Sequence, residues 1–172
     1  MLKKLIYLDN AATTPLSKNV LKKINSTYKN YWNNSSSTYK YGIKCAIFLE
    51  KIRLKIAETF NAEPEDIIFT SGSSESTTIV FSNLDDKYKT GRVVISKVEH
   101  QATIISANKL KRNGWEIYEW KVNEDGMIDI SEIEQVLDKN TTLVSLIWGQ
   151  SEIGTLQPVS YTHLTLPTTP YV

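Results

Sequence analysis

From about residue 66 onward, short β-branched runs alternate with amphipathic stretches of helical period, and no other feature restricts the possible fold as strongly. Residues 67–70 (Ile-Ile-Phe-Thr) predict a strand, 71–75 a tight turn and 76–84 a helix. Residues 92–97 predict a second strand, and 101–112 a helix stopped by Asn113-Gly114. Residues 115–122 predict a third strand and 142–148 a further apolar one. Between the last two, Glu124-Asp125-Gly126 reads as a turn, and Ser131 with Glu134 has the form of a capping box opening a helix to about 138. Strands separated by helical stretches require crossover connections, so the expectation is an α/β fold with a mainly parallel sheet covered by helices. Ligands are then expected beyond the carboxyl ends of the strands.

Upstream of this alternation two helices are predicted. Residues 17–31 place Val20, Leu21, Ile24 and Tyr28 at helical spacing, and a polar break at 33–37 follows. Residues 39–60 carry a long amphipathic pattern, expected to lie against a sheet, that ends before Pro64.

The 172 residues include 20 Lys plus Arg and 19 Asp plus Glu, a net charge of +1. No molecule-wide field therefore attracts nucleic acid or an anionic membrane surface. The single cysteine, Cys45, excludes a disulfide framework and a Cys-based zinc site, and it suits a buried apolar role in the second helix. No apolar run approaches the ~18 residues of a membrane span, and the expected location is cytoplasmic. The expected organisation is an arm at 1–15, one α/β unit at 16–158 and a tail at 159–172. That tail lacks charge and period over 161–172. It reads either as a Pro/Thr-rich extension or as a non-native end, because 159–169 back-translates into DNA resembling a transposon-based sequencing adapter read through in frame. On the second reading His163 has no function and the natural gene continues past Pro158.

Chemistry is expected at three loops. Small residues at 70–76 (Thr-Ser-Gly-Ser-Ser-Glu-Ser) let backbone N–H groups and serine hydroxyls converge on an anion, or else simply cap their own helix. Neither a P-loop nor a Gly-x-Gly-x-x-Gly turn is present there. His100 follows the second strand and is expected at the same edge, where an imidazole stacks on a planar ligand, moves a proton or serves only a structural role. Residues 148–154 (Trp-Gly-Gln-Ser-Glu-Ile-Gly) offer amide and hydroxyl groups at that edge, or form a plain polar turn. The tryptophans at 115 and 120 read as sheet-face packing.

Four ordered motifs are more specific: 7–15 (Tyr-Leu-Asp-Asn-Ala-Ala-Thr-Thr-Pro), 70–76, Glu99-His100 and 152–158 (Glu-Ile-Gly-Thr-Leu-Gln-Pro). Together they resemble the amino-terminal part of cysteine desulfurases, in the class V aminotransferase group of pyridoxal-phosphate enzymes. The resemblance covers about residues 7–158. It implies part of a type I transferase large domain, usually homodimeric, with pyridoxal 5'-phosphate as cofactor and L-cysteine as substrate. In that family cysteine becomes alanine, and its sulfur passes through an enzyme persulfide to an acceptor protein of iron–sulfur assembly or tRNA thiolation. Ser73 and Ser74 match the pair holding the cofactor phosphate, and His100 matches the histidine over the pyridine ring, with a proposed part in proton transfer. Gln150 and Ser151 stand where the family has two asparagines, so Ser151 falls at a cofactor contact. Residues 32–36 (Trp-Asn-Asn-Ser-Ser) and Tyr39 also depart from the pattern. None of Lys97, Lys109 or Cys45 matches the family's cofactor-linked lysine or persulfide cysteine, so the 172 residues alone are expected to be inactive. The alternatives are a selenocysteine lyase or other class V enzyme, a phosphate- or nucleotide-binding α/β module without pyridoxal chemistry, and a non-catalytic dimerisation fragment.

Overall fold

The computed structural model describes residues 6–158; the tail at 159–172 and the first five residues of the arm lie outside the described residues. The chain divides into two compact units, one up to Phe69 and the other from Thr70.

The first unit is helical. Helix α1 spans Lys18–Asn30, and its N-cap Ser17 accepts a hydrogen bond from the Val20 amide at 3.2 Å. Helix α2 spans Lys40–Phe60 and stops at Asn61, whose left-handed backbone (φ 51°) ends the hydrogen-bond ladder. Tyr31, just past α1, stacks on Phe48 of α2 with ring centroids 3.9 Å apart, and Lys44 reaches the Asn30 carbonyl. The expected sheet contact of α2 is not made within this unit, which holds no strand among its described residues. Cys45 is buried in α2, as its apolar neighbours suggest.

The second unit is a parallel α/β layer. Helix α3 (Ser73–Tyr88) leads through a short turn into β1 (Arg92–Ser96), followed by α4 (Gln101–Arg112), β2 (Glu116–Trp120), a one-turn α5 (Ile133–Val136) and β3 (Thr141–Ser145). Strand β1 lies between the other two in the order β2-β1-β3, and both pairings are parallel. Side-chain alternation along β1 divides the core. Val93 and Ile95 pack with Phe81 of α3, Ala107 and Leu110 of α4, and Trp115; Val94 packs on the other face with Trp120, Ile128 and Val136. Both tryptophans thus serve the sheet faces, as read from the sequence. Burying an apolar side chain of this size stabilises the fold by about 2 kcal/mol, and β1 has such groups on both faces.

Two elements differ from expectation. Residues 67–70 make no ladder, because a strand exists only with a hydrogen-bonding neighbour and none pairs with them among the described residues. Helix α3 accordingly begins at Ser73, three residues earlier than predicted. The helix expected from Ser131 to about 138 is one 3-10 turn (Ile130–Glu132) and the single turn of α5. Its cap is Asp129: the carboxylate accepts from the Ser131 amide at 2.9 Å and from the Ser131 hydroxyl at 2.7 Å. Ser131 therefore donates its hydroxyl proton backwards instead of capping Glu134.

Candidate functional site

Topology brings the predicted loops to one edge. With α3 feeding the start of β1 and α4 leaving its end, both helices run against the strands, so both begin at the carboxyl edge of the sheet. They pack side by side on one face. At their far ends Asp85 of α3 accepts from the Asn113 side chain and from the Trp115 indole, residues 28 and 30 positions later. Carried back along two co-directional helices, that offset sets the α4 entrance at His100 level with the α3 entrance at residue 72.

The α3 entrance is open. The amides of residues 72–75 and the hydroxyls of Ser73 and Ser74 make no hydrogen bond among the described residues, and both serines are exposed. Around them the other hydroxyls are engaged: Thr70 Oγ1 and Ser76 Oγ lie 2.8 Å apart, and Glu75 Oε2 accepts from both the amide and the hydroxyl of Ser71 at 2.6 Å. The Ser71 hydroxyl, then its amide, hold the Glu75 carboxyl below the usual carboxylate range. Free amides at the positive end of a 16-residue helix, with two free hydroxyls, form a donor set suited to a phosphate dianion.

His100 is the N-cap of α4. Its Nδ1 accepts from the Ala102 amide at 3.1 Å, which leaves the proton of the neutral ring on Nε2. The structural role weighed for this histidine is real, and it presents an exposed ring whose free nitrogen is a donor.

Ser151 lies in the loop after β3, exposed and with no hydrogen bond from its hydroxyl among the described residues. Gln150 beside it is turned inward, its Oε1 accepting from the Glu152 and Ile153 amides at 2.6 and 2.9 Å. This loop is clipped to the one after β2. Gln157, buried, accepts from the Ile128 amide at 3.0 Å and donates to the Gly126 carbonyl at 2.7 Å. Gly126 has φ +75°, and a Cβ there would stand 2.6 Å from the Ile153 side chain, so the close approach requires glycine. Lys109 lies nine residues into α4, about 13 Å below its entrance, and Cys45 belongs to the other unit.

Sequence reasoning quoted Glu99 in the Glu99-His100 motif but gave it no role; its Oε1 accepts from the Ser96 hydroxyl at 2.7 Å and from the Ile147 amide at 2.6 Å. Its partner just past β3 is 48 residues away, a pairing without local signal.

A parallel α/β layer whose helices open at its carboxyl edge defines the class of fold that takes ligands beyond its strand ends. The aminotransferase class-V family model matches residues 6–164, and the chain belongs to that family. Among curated relatives, the cysteine desulfurase IscS of Neisseria meningitidis is 36% identical over 157 residues, covering 90% of this chain and 39% of the relative. A solved NifS-like protein superposes with TM-score 0.85 at 29% identity, over 90% of this chain and 43% of its own. A structure described as SspA in complex with cysteine gives TM-score 0.82 at 28% identity, over 89% and 45%. The chain thus spans about two-fifths of the length of the curated relative.

Proposed function

We propose that the second unit carries part of the coenzyme site of a pyridoxal 5'-phosphate-dependent cysteine desulfurase. Its substrate is L-cysteine and its partner a sulfur-acceptor protein, in a cytoplasmic homodimer. The supporting observation is the pair of helix entrances at one sheet edge, one lined by free amides and hydroxyls and the other capped by an imidazole.

In this reading Ser73, Ser74 and the amides of 72–75 take the phosphate oxygens, with the positive end of α3 opposing the charge. His100 offers its ring face to the planar pyridine and holds a proton at Nε2, while the cap bond to Ala102 fixes the ring. The Ser151 hydroxyl donates a further hydrogen bond from the opposite loop, and the clipping of that loop by Gln157 keeps it in place. Pyridoxal phosphate, when bound, supplies the electron sink that labilises bonds at the substrate α-carbon. Lys97, Lys109 and Cys45 take no part. Without a lysine to fix the coenzyme against substrate, the 172 residues bind it reversibly and do not turn over.

The test is a pyridoxal phosphate titration of this chain, followed by thermal stability and coenzyme absorbance, beside a cysteine-dependent sulfide assay. The expected result is saturable stabilisation, competed by inorganic phosphate and weakened about tenfold in Ser73→Ala/Ser74→Ala, with no sulfide released. Protection by a nucleotide instead of pyridoxal phosphate would replace this reading with a phosphate-binding module, and sulfide release would overturn the inactivity.

A further inference from the structure

Glu99 directly precedes His100, and its carboxylate binds two separate strand ends. Ser96 Oγ, at the end of β1, is 2.7 Å from Glu99 Oε1, and the Ile147 amide, just past β3, is 2.6 Å from the same oxygen. Ser96 is almost wholly buried and Glu99 half-buried, so water competes weakly for these bonds. A carboxylate accepting an amide and a hydroxyl makes charge-assisted bonds, stronger than neutral ones. The loop that starts at Trp148 and carries Gln150 and Ser151 follows within one residue of Ile147. The α4 entrance carrying His100 follows Glu99 without a spacer.

We propose that Glu99 is a positioning residue that sets the spacing between the His100 entrance and the 148–158 loop across the sheet edge. The β1–β3 pairing holds only as far as Ile95 with Ser145, so the ladder stops short of both loops. Beyond it, the Glu99 carboxylate hydrogen-bonds directly from one segment to the other. Its role for the coenzyme rests on the preceding reading of His100 and Ser151; its role as a clamp does not.

The experiment uses the 172-residue chain with Glu99→Ala, Glu99→Asp and Glu99→Gln. It measures amide hydrogen exchange at Ile147, the NMR shifts of the His100 ring and Ser151 amide, and the dissociation constant for pyridoxal phosphate. In the wild type the Ile147 amide is protected. Glu99→Ala speeds its exchange about tenfold and moves the His100 and Ser151 signals, and Glu99→Gln, whose amide oxygen still accepts, restores both. Glu99→Asp, one methylene shorter with its charge kept, repeats the alanine result, so failure of the alanine variant to fold leaves the test intact. Unchanged Ile147 exchange in folded Glu99→Asp overturns the clamp, as do lost protection with unmoved His100 and Ser151 signals. Weaker pyridoxal phosphate binding in Glu99→Asp supports the coenzyme role. If the wild type does not bind pyridoxal phosphate, the coenzyme reading fails while the exchange data still judge the clamp.

Discussion

Glu75 and Ser71 show how a single residue pair prepares the α3 entrance. By turning back onto Ser71, the Glu75 carboxylate satisfies that amide and hydroxyl and leaves those of Ser73 and Ser74 unengaged. Because bonds from Ser71 lower its folded-state pKa, Glu75 contributes stability that is complete above its ordinary value of about 4.5. That contribution is lost as pH falls through the lower folded-state value. Asp129, held low by the Ser131 hydroxyl and amide, and Asp138, held low first by the Asn140 amide, act in the same sense. Acid titration of the urea midpoint between about pH 5 and pH 2 is expected to show a shallower loss in Glu75→Gln than in the wild type. An unchanged slope would mean that the Ser71 bonds do not persist in solution. The serine turn was legible as a helix entrance because small polar residues just before a helical stretch favour its start. Which hydroxyls stay free was not, since that depends on Glu75 folding back.

At the scale of the helix, His100 both caps α4 and presents its ring, and the two roles are separable. Asparagine is a good N-cap and alanine a poor one. His100→Asn is expected to keep α4 and the fold within about 0.5 kcal/mol of wild type, while His100→Ala loses about 1 kcal/mol in urea denaturation. Both lose the ring, so both are expected to bind pyridoxal phosphate more weakly; a wild-type affinity in His100→Asn would remove the histidine from the site. Element boundaries followed local chemistry where a cap or stop was present: Ser17 opens α1, and Asn113 with Gly114 ends α4 as expected. They failed where the deciding partner was non-local or ambiguous. Residues 67–70 have strand composition and no ladder, and Asp129 takes the capping position assigned to Ser131.

For the molecule as a whole, β2 and β3 both present open edges among the described residues, and β3 is only half-buried along its length. In the helical unit Val20, Leu21 and Ile24 of α1 are 46–48% exposed. With a net charge of only +1 there is little repulsion to keep copies apart. Concentration-dependent self-association in sedimentation velocity, with binding of a hydrophobic dye, is expected; a monomer at every concentration without dye binding would contradict it. The parallel α/β order, both upstream helices and the loops worth examining were written in the sequence, because hydrophobic period and capping act over a few residues. The shared edge of the serine turn and His100 was expected from strand order too; only the tertiary structure decided how α3 and α4 align through Asp85 and that Glu99 reaches Ile147. Those relations join residues tens of positions apart, and they exist only once the strands have paired and the helices have packed on them.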